Sequence, residues 1–216
     1  TPARATGAPS MLERRWLLKV LCVSFSWLTV NLLFYGLDFA VANCDAAHGC
    51  DIYRHGALTA IADLPGYAVS YVAADSPRFG RRLTLSLSFS IAGAALLTIC
   101  VLKAGLGVAD DTGVLGVLAF VGKCGAASAF SVAYIYPTEL FPPQIRSSAL
   151  GVANVFGRLA AILAPLAPSL APALLYSILG TLGLVNGAVV LLLPETRAAA
   201  DRAPTATAGA PEAVAA

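Results

Sequence analysis

Charge is scarce in this sequence. Asp, Glu, Lys and Arg make up 12% of its 216 residues, against about 25% in a typical soluble domain. Histidine occurs twice and methionine once. There is no phosphate-binding loop of the G-x-x-x-x-G-K type, no metal-ligand spacing of a strong kind and no nucleophile constellation. Catalysis, a cofactor, a metal and a nucleic-acid partner are therefore not expected. What remains is apolar: 58% of the residues are hydrophobic and the mean hydropathy is +0.77. A globule of this size cannot hide that much apolar surface, which makes lipid the expected solvent. The formal net charge of +2 matters less than where the charges lie.

The ends differ from the middle. Residues 1–15, opening "TPARATGAPS", and residues 195–216 hold few large apolar side chains that could offset ordering entropy, so both are expected to be disordered cytoplasmic segments. With Thr1 first and Met11 the sole methionine, the chain is expected to be a fragment or to carry residues ahead of its true start. The apolar run from Leu17 is too long for the h-region of a signal peptide.

Residues 16–194 contain six runs near the roughly 20 apolar residues that span a bilayer as a helix: Trp16–Ala42, Ala57–Ala74, Leu83–Leu102, Gly113–Tyr134, Ser148–Ala167 and Ala173–Leu193. The second is the weakest, interrupted by Asp63, Pro65 and Gly66. The fold class is thus all-α, a polytopic membrane protein with six transmembrane helices. Arg4, Arg14, Arg15 and Lys19 precede or begin the first span. Arg78, Arg81 and Arg82 follow the second, Arg146 the fourth, and Arg197 and Arg202 the last, whereas the alternate loops hold only Arg54 and Lys103. The positive-inside bias puts both termini in the cytoplasm, with the plasma membrane as the expected location. In the outer loop "NCDAAHGCDIYRHG", Cys44 and Cys50 either pair or remain free thiols. A zinc site with His48 and His55 matches no strong pattern. Cys22, Cys100 and Cys124 read as small packing residues within spans.

Four ionisable residues fall inside spans: Asp38, Asp63, Lys123 and Arg158. An Arg or Lys at a helix centre costs about 2.5–3.5 kcal/mol on an insertion scale, so each should face a partner or a water-filled cavity. Gly151, Asn154, Arg158, Ala161 and Pro165 share one small, polar face of the fifth span, opposite Val155, Phe156, Leu159, Ile162 and Leu163. Asn31, Tyr35 and Asp38 align in the first span, and Asp63, Tyr67 and Ser70 in the second. The alternative role of the acids is structural, pairing with Lys123 or Arg158 to hold helices together. Split into three spans plus three, "ADLPGYAVS" and "NVFGRLAAILAP" correspond, each with a charge and a proline, as in an inverted repeat.

Three charged loops lie on the expected cytoplasmic side. "DSPRFGRR" turns at Gly80. In "YPTELFPPQIRSS", Pro137 and the Pro142–Pro143 pair are expected to end a helix, with Glu139 and Arg146 across the break. "LPETR" brings Glu195 to the membrane edge. Ordinary topology explains the arginines, but not Glu139 and Glu195, so a latch of opposite charges is expected from Arg78, Arg81, Arg82, Glu139, Arg146 and Glu195.

These motifs carry a resemblance. "RFGRR" resembles the D-R-x-G-R-R loop of the major facilitator superfamily, although the motif's acid falls at Pro77, with Asp75 two residues earlier. "YPTELFPPQIRSSALGV" is similar to the A-E-L-Y-P-T-x-x-R-x-x-x-x-G stretch of its organic ion transporter family, and "GKCG", "GRLAAILAP" and "LPETR" extend the likeness over Tyr35–Arg197. The resemblance implies a twelve-helix fold in two halves. This chain would be the C-terminal six-helix half, its partners the bilayer, a small organic ion and the missing N-terminal half. It also implies that substrate binds between halves that rock. At the position of Arg158 the family's cation carriers tend to have an acid and its anion and carnitine-type members an arginine. Where anion carriers often have a lysine after the span-two proline, this chain has Tyr67, which could stack on a cation.

The expected function is therefore secondary transport of small organic ions by alternating access, zwitterions or anions favoured and cations possible. The expected substrate-binding residues are Arg158, Asp63, Tyr67, Lys123, Asn154, Tyr35 and Asp38. The alternatives are a porter for sugars or other neutral solutes in the same superfamily, and a six-span regulatory or structural subunit that transports nothing.

Overall fold

The computed structural model describes residues 13–42, 52–76, 78–107 and 113–196. Six helices make up almost all of it: α1 (Arg14–Ala42), α2 (Ile52–Ala74), α3 (Gly80–Gly105), α4 (Gly113–Leu140), α5 (Pro143–Leu163), continued by a 3-10 segment (Ala164–Ser169), and α6 (Pro172–Val190). All six are long and apolar enough to cross a membrane, the fifth together with its 3-10 extension. The all-α, six-helix expectation holds, with helix ends within a few residues of the expected spans. Cys44, Cys50, His48, Pro77, Arg197 and the two terminal segments 1–12 and 197–216 lie outside the described residues, as do the side chains of Arg54 and His55.

Two expected interruptions are absent. Helix α2 runs unbroken through Asp63, Pro65 and Gly66. Pro65 removes the N–H that would bond the Ile61 carbonyl, but packing holds the turn closed. The Cys124 thiol donates to the Ala62 carbonyl at 3.0 Å. Gly66 lets α4 approach so closely that a Cβ there would lie 2.5 Å from the Cys124 carbonyl oxygen. Likewise α4 continues past Pro137 to Leu140. The Phe141 N–H closes the next turn onto the Pro137 carbonyl at 3.3 Å, and the Tyr136 hydroxyl ties this end to the Pro194 carbonyl at 2.5 Å. The break falls at Pro142, whose extended backbone precedes Pro143 in the first turn of α5.

The most extensive packing joins α3 to α6 and α3 to α4, while α2 lies on α4 and α5 on α1. The middle helix of each triplet thus leans on the first helix of the other, the exchange an internal two-fold would produce. Helices α2 and α5 are the least covered: 22% and 28% of their most apolar stretches are buried, against 39% to 50% in the other four.

Candidate functional site

Lys123 is the organising residue. It sits mid-way along α4 and is 1% exposed. Its ammonium contacts Asp38 Oδ1 of α1 at 2.7 Å, Asp63 Oδ1 of α2 at 3.7 Å and the Phe34 carbonyl of α1 at 3.2 Å. It also stands 3.5 Å from the centroid of the Phe34 ring. Three helices therefore converge on one cation. Nothing on α4 alone could support it, since its neighbours Gly122, Gly125, Ala126 and Ala127 offer no polar side chain. The two acids keep part of their surface open, 38% for Asp38 and 21% for Asp63. With all three groups charged, two carboxylates face one ammonium, which leaves one negative charge on the open side.

An aromatic wall adjoins this cluster. Phe34 packs on Tyr35 edge-on at 5.4 Å between ring centroids and on Phe130 of α4 at 4.8 Å. Phe130 continues to Tyr134 at 5.2 Å, and Tyr134 to Trp27 of α1 at 4.7 Å. The sequence reading named Tyr35 and missed Phe34, Phe130 and Tyr134. Phe130 and Tyr134 stand seven and eleven residues after Lys123, on its helix face, and that spacing was the available signal.

Arg158 is placed differently. It is exposed on α5, and no acid pairs with it among the described residues; both acids go to Lys123. Asn154 is exposed one turn earlier. The buried seam of α5 is a third face, Ile145, Ala149, Ala153, Gly157 and Ala160, so the polar and apolar faces distinguished in the sequence both lie outside it. Gly157 sits against α1, where a Cβ would meet Asn31 Nδ2 at 2.9 Å and Trp27 at 3.2 Å. Asn31, Tyr35 and Asp38 form a single stripe along α1. It starts beside the neighbour of Arg158 and ends at the Lys123 cluster. Seven residues separate its ends, about 10 Å of helix. Tyr67 is 40% exposed on α2, one turn beyond Asp63.

A second ionic network closes one end of the bundle. Glu195, just past α6, accepts the backbone N–H groups of Arg81 at 3.0 Å and Arg82 at 3.1 Å. A carboxylate from the segment after α6 thus caps the N-terminus of α3, where a negative charge is favoured. Gly80 makes this possible, with φ +67° and a position where a Cβ would lie 2.8 Å from the Glu195 carboxyl carbon. The Arg81 side chain bridges Glu139 at 2.9 Å and Asp75 at 3.3 Å. Arg82 donates to the Leu193 carbonyl at 3.2 Å, and Thr196 donates to Glu139 at 2.9 Å. The structure brings Arg81, Arg82, Glu139 and Glu195 together, with Asp75 and Thr196 added. Arg146 is apart, its Nε donating to the Phe141 carbonyl at 3.2 Å, and among the described residues Arg78 contributes only a backbone N–H to Ser76 Oγ at 3.4 Å.

Comparison with known proteins agrees with this architecture. Residues 55–215 match the family profile of the Major Facilitator Superfamily. The chain belongs to that superfamily. It is 33% identical over 189 residues to solute carrier family 22 member 15 of Xenopus tropicalis, a match covering 84% of this chain and 34% of the relative. To organic cation/carnitine transporter 4 of Arabidopsis thaliana it is 31% identical over 190 residues, 87% of this chain and 33% of that one. With organic anion transporter 3 of Oryctolagus cuniculus it shares 28% identity over 199 residues, 90% of this chain and 35% of the relative. The chain spans about a third of the length of these curated relatives. Membership in the superfamily and the six apolar helices make it an integral, multi-pass membrane protein.

Proposed function

We propose that this chain is the C-terminal half of a secondary transporter for small organic ions, working by alternating access, with no enzymatic step. The relatives' names, which include organic anion and organic cation/carnitine transporters, support an organic ion as cargo. Their length supports an N-terminal six-helix half as the partner that completes the cavity. The sparsely covered α2 and α5 are where that half would bear. Helices α1, α2 and α4 would supply a floor with one excess negative charge, and α5 would supply Arg158. The charged end, with Arg81, Arg82, Glu139 and Glu195, would be the cytoplasmic latch, with both termini on that side of the plasma membrane.

The observation that carries the reading is the separation of charges. Lys123 holds Asp38 and Asp63, while Arg158 is left without a protein partner among the described residues. An unpaired arginine in a membrane span needs water or an anion, and its planar fork suits a carboxylate. A zwitterion would set its carboxylate on Arg158 and its cationic end toward Asp38, Asp63 and Tyr67, along the Asn31–Tyr35–Asp38 stripe.

The test is uptake in cells expressing the complete reading frame, with and without Arg158→Ala, normalised to surface protein. Uptake of carboxylate-bearing ions should fall at least tenfold with protein level unchanged. If uptake of neutral solutes falls in parallel with protein level, Arg158 is structural and a neutral-solute porter is the better reading. If no organic ion is taken up by the complete protein, the transporter assignment fails. The 216-residue chain alone, in vesicles, should give no saturable flux.

A further inference from the structure

The charged end of the bundle has two corners that are built differently. At the α3/α6 corner, the Arg81 guanidinium is matched by Asp75 and Glu139, and the Glu195 carboxylate sits on the backbone N–H groups of Arg81 and Arg82. At the α1/α5 corner, cations gather without that compensation. Arg15 and Lys19 flank the indole of Trp16, at 5.4 Å and 4.6 Å from its ring. Trp16 in turn packs on Phe141 at 6.3 Å, and the Phe141 carbonyl holds the Arg146 guanidinium. Arg14 opens the same helix and is exposed. Glu13 lies beside this group and takes Arg15 at 2.7 Å. Neither Arg14, Lys19 nor Arg146 has a carboxylate partner among the described residues. Among the described residues, four cations and one acid leave a surplus of three positive charges at this corner, two of the cations on the Trp16 indole.

The surface below this corner is apolar. Leu18 and Leu21 follow Arg14 at i+4 and i+7, on its face of α1, and both are exposed, as is Leu17. Positive charge thus stands directly over a greasy strip at the mouth of a membrane span. A tryptophan at the boundary fits the headgroup level, where amphipathic rings collect. Basic pockets between spanning helices on the cytoplasmic side suit phosphorylated lipid head groups.

We propose that this corner binds one anionic phospholipid, its phosphate held by Arg14, Arg15, Lys19 and Arg146 and its acyl chain laid along Leu18 and Leu21. Ordinary positive-inside topology accounts for cations on this side. It does not account for an uncompensated surplus here, with two cations on one indole, while Arg81 at the neighbouring corner is neutralised by two carboxylates. The inference needs only the membrane placement, not the transport reading.

The test is native mass spectrometry of the protein extracted from bilayers of phosphatidylcholine containing one-tenth phosphatidylinositol 4,5-bisphosphate or phosphatidylserine. One anionic lipid should stay bound, and Arg14→Gln/Arg15→Gln/Lys19→Gln/Arg146→Gln should lower retention at least tenfold. The lysine-for-arginine version at the three arginines should keep most of it. A second measurement needs no charge substitution. In a Trp27→Phe background, Trp16 is the sole tryptophan, and anionic lipid with brominated acyl chains should quench it more than brominated phosphatidylcholine does. Equal quenching by both lipids, or unchanged retention in the glutamine variant, overturns the proposal. So does full displacement by millimolar inorganic phosphate or soluble inositol phosphate, which would mark a site for a free anion instead.

Discussion

Helices α3 and α6 pack backbone against backbone at several glycines, whereas α2 and α5 each make one close approach. At Gly93 a Cβ would fall 2.7 Å from both the Gly180 carbonyl oxygen and the Leu184 nitrogen, and at Gly183 it would fall 2.9 Å from Gly93 Cα. Ser86 adds a hydrogen bond to the Gly187 carbonyl at 2.7 Å. In lipid, where helices gain little from burying apolar surface against each other, such close approach is a main source of association. Helix α2 comes this near to α4 at Gly66, and α5 to α1 at Gly157. The charged and aromatic residues of the candidate site lie on the loosely held pair or face it. Away from its charged end, the glycine seam of α3 and α6 carries no charged side chain, and the Lys123 cluster lies beside the sparsely covered α2.

The largest effect should come from breaking the rigid seam. Gly183→Leu would drive a side chain into the α3 backbone, which cannot retreat as a flexible side chain would. The expected loss exceeds the roughly 1–3 kcal/mol of ordinary overpacking. Little folded protein should survive detergent extraction, measured by the monodisperse fraction in size-exclusion chromatography. The same change at exposed Gly151, with nothing within 4 Å of its Cβ position, should leave that fraction intact. Equal outcomes at the two positions would undo the contrast.

Lys123→Ala comes next. Removing one member of a buried ion pair costs roughly 3–5 kcal/mol, and solvent at Asp38 lowers the expectation to about 3 kcal/mol. Thermal melting in detergent should show a clear drop, and Lys123→Ala/Asp38→Asn should recover part of it by removing the stranded charge. A single variant as stable as the parent would mean that the lysine does not hold the three helices together.

Gly80→Ala tests the charged corner. Forcing an alanine into the left-handed region costs about 1–2 kcal/mol, and its Cβ would also push Glu195 off the α3 N-terminus. Glu195→Gln keeps the shape and removes the charge that favours a helix N-terminus, an interaction worth about 0.3–1 kcal/mol. Melting should therefore rank Gly80→Ala below Glu195→Gln and both below the parent. The reverse order would show that the carboxylate, not the backbone geometry, governs this corner.

How much of this was legible follows from what a sequence encodes locally. Span positions follow from unbroken apolar runs, and a lone Asp or Lys within such a run is conspicuous, so Asp38, Asp63, Lys123 and Arg158 were found. Which cation takes the acids was not legible. It depends on how each helix is rotated about its axis, and that is set by glycine contacts such as Gly66 on Cys124 and Gly157 on Asn31. The sequence places Glu139 in one latch with both Arg81 and Arg146 but does not say which it meets; it pairs with Arg81 from another helix end, while Arg146 turns to the Phe141 carbonyl. Pro137 was read as a terminator. The tie from Tyr136 to Pro194 that helps hold that turn comes from a residue 58 positions away, beyond any local pattern.

The smallest effect on stability, and the sharpest use of the contrast, belongs to Arg158. It is exposed and has no protein partner among the described residues, so Arg158→Ala should change the melting temperature no more than an ordinary surface substitution, within about 0.5 kcal/mol. Lys123→Ala should lower stability and uptake together, while Arg158→Ala should lower uptake of carboxylate-bearing ions alone. Arg158→Lys keeps the charge but loses the two-pronged geometry, so it should restore anion attraction with weaker apparent affinity, read as a raised KM with a nearly unchanged maximal rate. If Arg158→Ala melts as early as Lys123→Ala, the arginine supports the bundle and the division between a tightly packed seam and a sparsely covered, charge-bearing pair fails at Arg158.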